Sequence, residues 1–164
     1  MKRLDHFNKW STIKIMMFDF DGVFTDNRVM VDEDGKEYAM CTRYDGYGIK
    51  KLADIGIESI ILTSEPTTIA KNRAKKLGIT CYDHIENKLE FGVGLIKSRG
   101  LDLEQVGFVG NDINDLELLR VVGLAIITRD AHQDIRENNF YTTKLRGGRG
   151  CVREIADLIY REKA

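Results

Sequence analysis

The chain of 164 residues carries no excess of either charge: 25 lysines and arginines stand against 26 aspartates and glutamates, a formal net charge of −1. That balance argues against a nucleic-acid partner held by phosphate neutralisation. Cysteine is scarce and scattered. Cys41, Cys81 and Cys151 are odd in number and form no CxxC pair, so neither a disulfide framework nor a zinc site is suggested. No apolar run approaches the roughly 20 residues that cross a bilayer, and no membrane partner is expected. The opening stretch MKRLDHFNKWSTIK is polar and lacks the apolar segment and cleavage site of a signal peptide; a cytoplasmic location is the default expectation. A Walker-type GxxxxGK(S/T) loop is also missing, which disfavours a nucleotide-binding function. Without linkers, low-complexity tracts or internal repeats, the chain reads as one domain over residues 1–164.

What is present is a globular composition, 43% hydrophobic and 31% charged, with short apolar runs alternating with helical periods. Residues 13–20 and 57–63 read as buried strands, and 106–109 and 124–127 as further short ones. Leu89, Val93 and Ile96 recur at helical spacing before Gly100, a suitable stop. Ile113, Leu116 and Leu119 repeat at three on a helix expected to begin near Asp112. Pro66 suits the first turn of a helix ending at Gly78, with Lys75 and Lys76 in its last turn. Val152, Ile155, Ala156 and Ile159 give a closing helix. Strands alternating with helices predict an α/β fold with a doubly wound parallel sheet. One interruption, residues 24–31 and 36–42 around Asp32-Glu33-Asp34-Gly35, reads as a β-hairpin.

In an open parallel sheet, ligands collect at the carboxyl ends of the strands. The first strand runs into Asp19-Phe20-Asp21-Gly22 and the second into Thr63-Ser64. The fourth polar cluster is Gly110-Asn111-Asp112-Ile113-Asn114-Asp115, and Lys88 opens a helix between them. Asp19 and Asp21 are two apart, so both side chains can share a face, and carboxylates so close need a cation or a proton between them. Mg²⁺ fits such a set, since it takes a few carboxylates together with water and phosphate oxygens. One carboxylate can then attack phosphorus while the other handles protons, with Lys88 and the Thr63 hydroxyl on the phosphate. Blander readings apply to each piece. Asp-x-Asp-Gly alone suits a turn or a calcium-like loop, Thr63 and Ser64 or Asn111 and Asp112 suit helix caps, and Lys88 suits a solvated surface. Four polar clusters in this order favour chemistry.

DFDGVFTD, ILTS, Lys88 and GNDINDLE resemble the four ordered motifs of the haloacid dehalogenase superfamily. Together with RYDGYGIKKL and LRGGRGCVREI they are similar to its capless branch. That branch holds 3-deoxy-D-manno-octulosonate 8-phosphate phosphatases, ketodeoxynononate 9-phosphate phosphatases and the phosphatase-like domains of acylneuraminate cytidylyltransferases. The resemblance implies a Rossmann-like sheet with the hairpin inserted and no cap domain. It also implies a Mg²⁺-dependent phosphatase of a sugar-acid phosphate. Asp19 would be the nucleophile and Asp21 the general acid/base, with Thr63 and Lys88 holding the phosphoryl group. The metal would meet Asp19, Asp21, Asn111 and Asp112, supported from behind by Asp115. Substrate contacts would come from Thr25, Ser64, Glu65, Lys76 and Arg149. A homotetramer is implied, in which the hairpin and a flexible Gly147-Gly148-Arg149-Gly150 tail cover a neighbour's site.

Two departures from the family pattern bear on function. Octulosonate phosphatases usually carry arginine after the ILTS motif, whereas this chain has Glu65; Glu65 with Lys76 is similar to the ketodeoxynononate 9-phosphate phosphatases. Active members usually carry aspartate after the fourth-motif glycine, whereas this chain has Asn111, which removes a negative charge from the metal site. Two functions follow: a sugar-acid phosphatase working through aspartyl-phosphate, or a weakly active or inactive oligomerisation or regulatory module with a cytidylyltransferase partner.

Overall fold

β1 (Ile15–Phe18) has all four residues buried, as an apolar run does when a strand lies inside a parallel sheet with both faces covered. It pairs in parallel with β4 (Glu58–Leu62) on one side and β6 (Val106–Gly110) on the other. With β5 (Thr80–Tyr82), β7 (Leu124–Ile127) and β8 (Tyr141–Thr142) they form a six-stranded parallel sheet in the order β5-β4-β1-β6-β7-β8. The computed structural model describes residues 10–163; the polar stretch before Trp10, expected to carry no signal peptide, lies outside them.

Alternation along the strands divides the core. Met16 and Phe18 join one apolar cluster with Ile49 and Leu52 of α1 (Arg43–Asp54), Ala70 and Ala74 of α2 (Thr68–Leu77), and Ile155 and Ile159 of α6 (Cys151–Lys163). Ile15 and Met17 join the other. Its helical members are Ile96 of α3 (Lys88–Ser98), Leu118 and Leu119 of α4 (Leu116–Leu119), and Ile135 of α5 (Gln133–Arg136). The sheet is therefore doubly wound. The chain leaves β1 for β4 on one side and later enters β6 on the other, so the switch point lies at the carboxyl end of β1.

The hairpin is present as β2 (Thr25–Val31) and β3 (Glu37–Cys41). Its turn is held by Asp32 Oδ1, which accepts from the Asp34 and Lys36 N–H groups. Only the hairpin, α1 and β4 separate Asp21 from Thr63, and only α2 and β5 lie between Thr63 and Lys88. Neither gap holds a cap domain.

Several expected boundaries move. Pro66 does not enter the helix: α2 starts at Thr68, and the Thr67 hydroxyl caps it by accepting from Ile69 N at 3.1 Å. Gly78 ends it in the left-handed region at φ 71°. The helix expected from Asp112 is instead a 3₁₀ turn, Ile113–Asp115, followed by α4. Of the three residues in that spacing, Leu119 is buried and Leu116 half-buried, but Ile113 is 53% exposed, and Leu118 is the further buried residue. On α3 the inward face is Lys88, Gly92 and Ile96, which aims the lysine at the sheet's carboxyl edge.

Asp45 is the polar exception in the packing of α1 against α6. It is wholly buried, its Oδ1 accepting from Arg153 N at 3.3 Å and its Oδ2 without a hydrogen-bond partner among the described residues. Burial pushes its carboxyl from 3.8 up to about 7, against the Arg153 N–H and the Arg73 charge, which pull it down. Because the folded value is the higher one, the fold binds the proton more tightly than the unfolded chain does between those limits. Stability from this group is therefore gained as pH falls from about 7 towards 3.8 and lost as it rises. Asp45→Asn should be more stable than the parent at pH 8, and that advantage should shrink by on the order of 2 kcal/mol by pH 5. Urea midpoints of both proteins across that range check it; parallel pH curves would contradict it.

Candidate active site

Three strands deliver one polar residue each to the same place. Asp19, Thr63 and Asn111 lie one residue beyond the ends of β1, β4 and β6. All three are buried but line an open cleft of about 1040 Å³, together with Asp21, Ser64 and Glu65. Lys88 closes the floor as the first residue of α3, positioned by the Asn87 side chain, which accepts from Glu90 N.

The two oxygens of Asp19 have different partners. Oδ1 accepts from Phe20 N and lies 2.8 Å from Lys88 Nζ. Lys88 Nζ is also 2.7 Å from Asp115 Oδ1, while Asp115 Oδ2 accepts from the backbone N–H groups of Asn111 and Asp112. Burial and the like charge of Asp115 push the Asp19 carboxyl up to about 7, against the pull of Lys88. For Lys88, burial works against the charge, but Asp19 and Asp115 outweigh it and its pKa is raised. The lysine stays an ammonium, shared between the carboxyl groups of Asp19 and Asp115.

Asp21 is half-buried, and burial raises its carboxyl in spite of a bond from Thr25; the charges of Glu65 and Glu37 add to the rise. A carboxyl held above its usual range and open to a cleft is suited to carry a proton both ways. The turn after it needs glycine: Gly22 has φ +83°, and a Cβ there would come within 2.0 Å of the Asn111 amide.

Oδ2 of Asp19 faces the other side. The inward atom of the Asn111 carboxamide lies 3.0 Å from it and 2.9 Å from the Asp21 backbone carbonyl. With the amide oxygen turned inward, it stands at these distances from Asp19 Oδ2 and the Asp21 carbonyl oxygen, three acceptors that a bound cation would hold together. Neighbouring oxygens around octahedral Mg²⁺, with metal–oxygen distances near 2.1 Å, are about 3 Å apart. These three groups therefore fit the metal that the fold implies. Asp112 is not one of them: its Oδ1 accepts from Ile113 N at 2.7 Å as the cap of the 3₁₀ turn. Among the described residues no three His, Cys, Asp or Glu side chains gather as a metal cluster, so the carbonyl and carboxamide are essential to the set.

Of the expected substrate contacts, Ser64 and Glu65 line the cleft. Ser64 Oγ donates to Ile85 O and accepts from Asn114 Nδ2, bridging two loops. Thr25 does not reach substrate. It is fully buried, its hydroxyl donating to Asp21 Oδ1 and accepting from the Gly22 and Asn27 N–H groups; it is a positioning residue for Asp21. Lys76 lines a separate groove beside Arg43, Lys50 and Arg73. Arg149 sits 3.5 Å from Asp26 and lines another hollow with Tyr44 and Arg153.

The glycine segment before α6 is not a loose tail in this chain. Gly147 N donates to Asp130 Oδ1 and Gly148 N to Val23 O, and a Cβ on Gly147 would lie 1.9 Å from Gly22 O. The segment is pressed onto the loop that carries the aspartate pair, and glycine is what permits that approach. Sequence reasoning also missed the Phe20 N–H, a backbone group with no signature, and the hairpin residues Asn27 and Tyr38 on the cleft wall.

A carboxylate braced on one oxygen by a buried lysine, and turned by the other to the Asp21 carbonyl and the Asn111 carboxamide at the switch point, belongs to the haloacid dehalogenase class. Comparison with known proteins narrows this. No protein-family model matches the chain. It is 33% identical over 156 residues to the 3-deoxy-D-manno-octulosonate 8-phosphate phosphatase of Yersinia pestis, covering 94% of this chain and 83% of that one. The protein of the same name from Escherichia coli K12 is 34% identical over 152 residues, with 92% and 81% covered. The crystal structure of the corresponding phosphatase from Moraxella catarrhalis, in complex with magnesium, phosphate and KDO, superposes with a TM-score of 0.94 at 30% identity. That match covers 99% of this chain and 94% of the other. The chain belongs to the 3-deoxy-D-manno-octulosonate 8-phosphate phosphatase family.

Proposed function

We infer that the protein is a Mg²⁺-dependent phosphatase of a 2-keto-3-deoxy sugar-acid phosphate, working through an aspartyl-phosphate on Asp19. The observation that carries this is the unequal bracing of Asp19: Oδ1 held by Phe20 N–H and Lys88, Oδ2 facing the gap shared with Asp21 O and Asn111. Bound there, Mg²⁺ supplies positive charge against which a phosphate dianion can approach a carboxylate.

In the first half-reaction an Asp19 oxygen bonds to phosphorus as the phosphorus–oxygen bond to the sugar breaks. Protonated Asp21 passes its proton to the departing alkoxide. In the second, Asp21 as carboxylate takes a proton from water as that water attacks phosphorus, which returns Asp19 and releases inorganic phosphate. Lys88 and the Thr63 hydroxyl face the equatorial oxygens, where charge must be held through both steps. Three free thiols, Cys41, Cys81 and Cys151, suit a reducing, cytoplasmic setting.

Glu65 bears on the substrate. It lines the cleft beside Ser64, where a carboxylate repels the substrate's own carboxylate and accepts from sugar hydroxyls. Since Lys76 is elsewhere, Glu65 alone supports a preference for a nine-carbon acid over the eight-carbon acid named for the relatives. Phosphate release from octulosonate 8-phosphate and nononate 9-phosphate, with and without Mg²⁺, tests the reading. Glu65→Arg is expected to move the ratio of kcat/KM towards the eight-carbon substrate by about tenfold, the scale of one charge contact. An unchanged ratio would remove Glu65 from specificity.

A second reading, a weakly active or inactive module for assembly with a cytidylyltransferase, has two observations in its favour. One is Asn111 at the metal. The other is the hairpin, where Met30 and Met40 are 66% and 74% exposed; cover from other copies in a homotetramer would have to come from this face. No Mg²⁺-dependent release from any sugar-acid phosphate would leave that second reading standing.

A further inference from the structure

The Asn111 carboxamide sits where an aspartate would serve only one state of the site. Turned with its nitrogen inward, it donates to the Asp21 carbonyl at 2.9 Å and to Asp19 Oδ2 at 3.0 Å. Turned with its oxygen inward, it faces only acceptors, while its nitrogen at the other end faces only donors. The inward oxygen then needs a cation beside it, while the outward nitrogen stays among donors, a cost that the bound cation must outweigh. The amide has little freedom except to turn on its own axis, because its far end rests against the backbone of Gly22, where even a methyl group would come within 2.0 Å.

We propose that Asn111 is a reversible stand-in for the metal: nitrogen inward when the site is empty, oxygen inward when Mg²⁺ is bound, the two related by a half-turn about Cβ–Cγ. The inference rests on the metal-dependent reading of this cleft. Its physical basis is the Asp19 oxygen that the floor leaves without a donor. Asp19 Oδ1 is already engaged by Lys88 and Phe20 N–H, so Oδ2 is the carboxylate oxygen that needs a donor when no metal is there. An unpartnered buried carboxylate oxygen is costly, and the inward NH₂ group removes that cost. An aspartate at 111 does the reverse, placing a third carboxylate beside Asp19 and Asp115 around the single ammonium of Lys88. The cation must then displace two hydrogen bonds before it binds, so the chain exchanges metal affinity for a site that is ordered without metal.

The test compares wild type, Asn111→Asp and Asn111→Leu, first in EDTA and then through a titration with MgCl₂ alone. In EDTA, Asn111→Asp is expected to melt about 5 °C below wild type, the shift for loss of a charged hydrogen bond in a domain of this size. Calorimetry should show Asn111→Asp binding Mg²⁺ at least tenfold more tightly than wild type. In ¹⁵N-labelled wild type, the side-chain NH₂ signal of Asn111, assigned by its loss in both variants, should shift on Mg²⁺ addition with the calorimetric midpoint. The inference is overturned if Asn111→Asp melts at or above wild type in EDTA, or if the NH₂ signal does not respond to Mg²⁺. If a variant fails to fold, the wild-type signal alone decides. None of these readouts needs turnover. Absent phosphate release would count against the phosphatase reading, while the melting, affinity and NH₂ results judge the stand-in separately.

Discussion

Asp19→Asn is expected to lower kcat for phosphate release by about 10⁴-fold or more, the scale seen when a covalent nucleophile is removed. The change is nearly isosteric and keeps an oxygen for Phe20 N–H and Lys88, which both reach Oδ1 in the parent. What it removes is the electron pair that bonds to phosphorus. KM should not rise, because a neutral amide repels a phosphate dianion less than a carboxylate does. Folding should be little affected, since burial and Asp115 already hold the Asp19 carboxyl at about 7 and the loss of its charge relieves that strain. The measurements are single-turnover phosphate release and urea unfolding on the same preparation. A variant retaining more than about 1% of the parent rate would rule out the aspartyl-phosphate route and point to direct attack by water. Loss of rate together with stability would mean only that the floor had collapsed.

The parts of this site that lie along the strands were legible before any geometry. Asp19, Thr63 and Asn111 each follow a buried strand whose apolar run ends abruptly, and in a parallel sheet that is enough to bring them together. What depends on side-chain direction was not legible. Lys88 is expected on the phosphate, but its position alone suits a solvated surface equally well until the inward face of α3 is seen to be Lys88, Gly92 and Ile96. Thr25 has the composition of a substrate contact but is buried under Asp21. Arg149 follows glycines that suggest freedom, yet Gly147 is pressed on Gly22 and Gly148 on Thr25 and Asp26, too closely for any side chain. β5 and β8, with three and two residues, are too short to show a period. Those two strands apart, the failures concern where a side chain or a segment settles once tertiary packing has chosen.

That packing gives Lys88 the largest stake in stability. Its side chain is 1% exposed, and it joins Asp19 at 2.8 Å to Asp115 at 2.7 Å. Lys88→Met fills similar space and removes the charge, which leaves two carboxylates facing each other with no ammonium between. Removing one partner of a buried ion pair costs about 3–5 kcal/mol, and here one removal strands two partners. The urea midpoint should fall accordingly at constant slope, and phosphate release should fall with it if, as proposed, the same ammonium holds the phosphoryl oxygens. Adding Asp115→Asn to Lys88→Met should restore roughly half of the lost stability, since it deletes one of the stranded charges. It should restore no activity, because the charge beside the phosphate is still missing. A loss below about 1 kcal/mol for Lys88→Met, the scale of an exposed pair, would show that the lysine is a surface group and that the floor of the site is held some other way. A double variant recovering turnover along with stability would show that Lys88 acts only by neutralising Asp115, and the phosphoryl clamp would then rest on Thr63 and the metal.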